Sequence, residues 1–74
     1  MAKKYKTEVK RSLVKEKTKL DAKVERLNNF IRGVDFPTLT GWHQQMLYKQ
    51  ANIMAQYSLI LRDRIIDITS QEVE

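Results

Sequence analysis

Leu13, Leu20 and Leu27 recur every seventh residue in a stretch otherwise filled with Lys, Glu and other helix formers. Val9, Val24 and Ile31 fall on or beside the same line, and Lys17 interrupts it. No Gly or Pro occurs between Thr7 and Arg32. A narrow apolar seam on a broad polar face belongs to a helix that packs along one line, and the pattern predicts such a helix over residues 7–32. Glu8–Arg11 and Glu16–Lys19 have helpful spacing and add a few tenths of a kcal/mol each.

The segment Gly33-Val34-Asp35-Phe36-Pro37-Thr38 breaks the pattern. Gly33 suits a left-handed position after the first helix. Pro37 has no N–H and pushes Phe36 towards extended geometry. Phe36 and Leu39 are expected to close the end of the hairpin, and Thr40 is the preferred N-cap of a second helix over 41–68. So short a connection favours antiparallel neighbours. The fold expected is all-α: a two-helix hairpin forming a single domain over 1–74, with residues 1–6 and 69–74 as flexible tails.

The second helix is wider in its apolar character. Leu47, Met54, Leu61 and Ile68 form one heptad line, and Ala51, Ser58 and Ile65 its neighbour. Both should face the first helix. Met46, Ile53 and Ile60 make a third line on one side, and Ala55, Leu59 and Ile66 a fourth on the other. One partner helix with a leucine seam cannot cover so much of the circumference. A monomer would expose Met46, Ile53, Leu59, Ile60 and Ile66, each worth roughly 1.5–3 kcal/mol when fully buried. The expectation is a homo-oligomeric helical bundle whose interface uses these five residues, flanked by Gln50 and Tyr57.

Composition narrows the chemistry. The 74 residues hold no cysteine and one histidine, which excludes disulfides and a Cys/His zinc site. Two glycines and one proline leave no glycine-rich phosphate loop. His43 has no partner in sequence that would make it catalytic, so the chain reads as a non-enzyme with no metal and no cofactor. No apolar run approaches the length of a membrane span, and the N-terminus lacks the apolar core of a signal peptide, so a soluble, intracellular protein is expected.

The net charge of +5 is unevenly placed: residues 1–32 carry +7 and residues 33–74 carry −2. A basic half attracts anions such as a nucleotide ligand or nucleic acid, or else is a solvated lysine-rich face. Tyr5 lies among Lys3, Lys4 and Lys6, where a ring stacks a base while amines meet phosphates. Trp42 and Tyr48, near the start of the second helix, either stack a base or cap the hairpin core. Arg62 and Arg64 either hold a phosphate or pair with a neighbouring chain's carboxylates. His43, Gln50, Tyr57 and Arg64, spaced by seven, are either a ligand or interface row or the shoulder of the seam.

The segments Glu16–Ile31 and Gln44–Ile65, joined by a turn with Phe36 and Leu39, resemble a family of small phage hairpin proteins found in crAss-like and other phages. The matching positions include Phe30, Ile31, Gln45, Leu47, Gln50, Met54, Tyr57, Leu61, Arg64 and Ile65. That family is similar to the helical hairpin of anti-CBASS and anti-Thoeris sponge proteins, which form hexamers and sequester cyclic nucleotide signals without cleaving them. The resemblance implies a hexamer or similar assembly, a cyclic di- or trinucleotide ligand held between protomers, and work in the cytoplasm of a bacterial host. It also implies contact through an N-terminal tyrosine and a lysine of the first helix, here Tyr5 with Lys19 or Lys23. The expected ligand set is therefore Tyr5, Lys19, Lys23, Trp42, Arg62 and Arg64. Two other readings stay open: a hairpin that docks on a host or phage protein, and a nucleic-acid binder using the basic half. The latter is less favoured, as is a membrane-surface role for so thin an apolar seam.

Overall fold

The computed structural model describes residues 2–73, with side chains described for 7–71. Helix α1 spans Ala2–Ile31, a 3-10 turn spans Phe36–Thr38, and helix α2 spans Gly41–Val73. The two helices form an antiparallel hairpin of 54 × 14 × 14 Å.

Both helices are longer than the seam alone suggested. Residues 2–6 and 69–73, read from sequence as tails, continue the helices. Neither segment contains a Gly or Pro to stop propagation, and each added residue gains one backbone hydrogen bond. At the other end α1 stops at Ile31 rather than Arg32.

The seam is where the heptads placed it. Leu13, Leu20 and Leu61 form the buried core, packed by Val9, Val24, Met54, Ile65 and Ile68. Leu61 is wholly buried. Leu47, Ala51 and Ser58 are half-buried on the same side of α2. Lys17, the interruption in the seam, is half-buried, and its amine reaches out of the seam to Asp21 at 2.7 Å. Glu8, Arg11, Glu16 and Lys19 form no ion pair among the described residues, since exposed ends gain little by being held together.

The closed end departs from expectation at Gly33. No glycine among the described residues has positive φ. The chain instead tightens, with Gly33 N–H donating to the Phe30 carbonyl at 3.0 Å. A Cβ on Gly33 would sit 3.3 Å from the Phe30 carbonyl oxygen and 3.4 Å from that of Asn29. The glycine therefore serves a close carbonyl approach rather than a left-handed turn. Phe36 is buried and meets Tyr48 edge-on, with ring centres 5.3 Å apart. Thr40 is the N-cap of α2: its Oγ1 accepts from His43 N–H at 3.1 Å. Trp42 does not cap the core; it stands 70% exposed.

Candidate functional site

Helix geometry sorts the cations of α1. Arg11, Lys15, Lys19 and Lys23 stand at every fourth position. They form a ladder with rungs about 6 Å apart that winds round α1, from the side opposite α2 at Arg11 and Lys15 to the flank of the seam at Lys23. All four are exposed and make no hydrogen bond or ion pair among the described residues. Beside the upper rungs, Thr7, Lys10, Arg11, Val14 and Lys15 line an open groove with an apolar floor. A groove of this kind offers cations at its rim and a surface on which a flat group can rest.

Lys19 and Lys23 thus lie on one ridge, and that ridge extends to Arg11 and Lys15, which the sequence reading left out. The signal for them was present as the four-residue spacing, masked because charge was summed over the whole half of the chain. Tyr5 lies outside the residues whose side chains are described. Its place on the continuous α1 sets it about 21 Å from Lys19 and 27 Å from Lys23 along the axis. Within one chain these residues do not converge on a single small ligand.

Arg62 and Arg64 do not act as a pair. Residues two apart leave a helix in nearly opposite directions. Arg62 donates to Asp63 Oδ1 from Nε at 3.2 Å and from an Nη at 3.1 Å. Arg64 makes no hydrogen bond or ion pair among the described residues. It borders two open grooves, one with Ile60, Asp63, Asp67 and Ile68 and one with Glu8, Val9, Ser12, Leu13 and Glu16. Four carboxylates, one of them the Asp63 already held by Arg62, share the lining of these grooves with it.

The apolar sides of α2 remain uncovered. On one side Ile53 is 65% and Ile60 56% exposed, with Met46 half-buried and Trp42 at the closed end of the same stripe. On the other side Leu59 and Ile66 are exposed. Gln50 and Tyr57 flank the first stripe; Gln50 Nε2 reaches Met54 Sδ at 3.8 Å. Among the described residues no group of three or more His, Asp or Glu is arranged to hold a metal. Among the described residues no helix is long and apolar enough to cross a membrane.

A basic ridge on one helix and bare apolar stripes on the other define a small α-helical hairpin protein whose surfaces are shaped for contact with other molecules. The chain belongs to the Sequestin family, whose model matches residues 7–67. By its name that is a family of sequestering proteins, a binding role rather than a catalytic one. No curated protein and no solved structure matches the chain.

Proposed function

We propose that this protein is a sponge: a homo-oligomer of hairpins that binds cyclic oligonucleotide signals at subunit interfaces and holds them without cleaving them, in the cytoplasm of a bacterial host. Membership of the Sequestin family over residues 7–67 carries the reading. The ladder Arg11–Lys15–Lys19–Lys23 supports it physically. Like charges at i,i+4 repel by a few tenths of a kcal/mol per pair, and a bound anion removes that cost. A cyclic dinucleotide presents two phosphates and two flat bases, so it needs cations and stacking surfaces together. Ladders brought together from several chains supply the cations, with Tyr5 as a stacking ring. Sequestration requires no nucleophile, general base or metal.

Native mass spectrometry with a panel of cyclic di- and trinucleotides tests the proposal. The expected result is a closed oligomer carrying ligand in fixed ratio, with the ligand recovered intact after heat release. An oligomer that ignores the panel would overturn it. Salt-sensitive binding to nucleic acid that strengthens with strand length would instead assign the ladder to a polymer backbone.

A further inference from the structure

The hairpin exposes 5859 Å² for a mass of 8.8 kDa. A compact monomer of that mass exposes roughly 4,800 Å². The excess, on the order of 1,000 Å², is comparable with the ~800 Å² that each partner loses in a stable protein interface.

Where this excess lies on α2 has its own symmetry. Met46 and Ile60 stand seven residues before and after Ile53, and Trp42 and Arg64 stand eleven before and after it. At 100° per residue all five leave α2 within about 40° of one direction. A stripe that reads the same from either end is complementary to its own antiparallel copy. Charge selects the same direction. Parallel copies would set Arg64 on Arg64 and Lys49 on Lys49. Antiparallel copies separate the two Arg64 side chains by about 33 Å along the axis and bring each to Trp42 of the other copy. The Trp42 ring is the chain's one indole, it is exposed, and Arg64 is an unpaired guanidinium, the two halves of a cation–π contact. The other exposed side is less available, because Tyr48 at its closed end already packs on Phe36.

We infer that α2 pairs with α2 of a second copy in an antiparallel two-fold dimer centred on Ile53, with Trp42 of each copy stacked on Arg64 of the other. The dimer is the unit from which any larger assembly is built. This rests on the self-association in the proposed function but not on the ligand. It accounts for Arg64 standing unpaired beside grooves that carboxylates line. The groove beside Arg64 gains the partner's indole as a wall.

The chain has no cysteine, so single cysteines report the pairing directly. Gln45 and Asp63, both exposed, lie eight residues before and ten after Ile53. In the proposed dimer Gln45 of one copy is about 3 Å along the axis from Asp63 of the other, whereas like positions are about 24 and 30 Å apart. Q45C and D63C proteins would be mixed, equilibrated and treated with a bis-maleimide reaching about 10 Å, the spacing of packed helices. The expected product is a mixed dimer, several-fold above either self-linked dimer. Self-linked Q45C dominating would show parallel pairing and overturn the inference. So would no mixed product from protein that native mass spectrometry finds associated, which leaves the sponge reading standing. A monomer at all concentrations overturns the pairing and the self-association together. Nucleotide capture is measured separately and fails or succeeds on its own.

Discussion

Ser58 Oγ donates to Asp21 Oδ1 at 2.5 Å, a side-chain hydrogen bond that joins α2 to α1 midway along the hairpin. The other oxygen of Asp21 accepts from Lys17 Nζ at 2.7 Å. The Lys17 hydrogen bond first, then that from Ser58, then the Lys17 charge hold the Asp21 carboxyl below its ordinary value. A depressed carboxylate contributes stability above its unfolded pKa and loses it as pH falls through the folded value. The D21N variant should therefore be less stable than the parent near pH 7 in urea unfolding, with the difference closing as pH falls below the ordinary carboxylate range and through the lowered folded value. S58A should cost about 0.5–1 kcal/mol, the lower part of the range for one hydrogen bond, because the site is open to water.

Core and exposed stripe should separate cleanly under substitution. Leu61 is wholly buried, so L61A should cost about 2–5 kcal/mol and unfold a hairpin this thin at modest denaturant. Ile53 is mostly exposed, so I53A should change the hairpin's own stability by no more than about 0.5 kcal/mol. Its effect should fall on assembly, read by sedimentation velocity. A parallel loss of folding in both variants would place Ile53 in the hairpin core instead.

The seam was legible because it is periodic. Seven-residue spacing names the face, and the structure buries Leu13, Leu20 and Leu61 on it. The exposed stripes were legible for the same reason, since one partner helix covers one face. Thr40 was legible as a cap from its position before the apolar pattern. The helix ends were not, because nothing in residues 2–6 or 69–73 marks a stop and the apolar seam alone does not reveal how far a polar helix continues. The ligand set was least legible. Arg62 and Arg64 look adjacent on paper, yet leave the helix on opposite sides, and of the two only Arg62 rests on a carboxylate, that of Asp63.

Gly33 offers a check on how α1 ends. Its φ is not positive, so an alanine there meets no left-handed strain. The added Cβ would press on the carbonyl oxygens of Phe30 and Asn29 at 3.3 and 3.4 Å. Reduced freedom of the unfolded chain offsets that crowding by about 0.4–1 kcal/mol. G33A should therefore shift stability by less than about 1 kcal/mol in either direction. A clearly larger loss in thermal unfolding would mean that the turn is left-handed after all.

The ladder on α1 gives the sharpest distinction between ligand binding and mere solvation. If Arg11, Lys15, Lys19 and Lys23 only face water, K19A and K23A should relieve repulsion and leave melting temperature unchanged or slightly raised. If they hold phosphates, the same variants should melt like the parent alone but lose most of the stabilisation that a cyclic dinucleotide confers. Each lysine lost should weaken capture by about tenfold, the order of one hydrogen bond to a charged group. R62A is the control, since its guanidinium already rests on Asp63 and it lies on α2, outside the ladder. Added salt should mimic the substitutions, because exposed cations are screened over about 10 Å at 0.1 M. Calorimetric titration of the parent, K19A, K23A and R62A proteins at two salt concentrations checks this. Equal affinity in all four proteins would remove the ladder from the binding site.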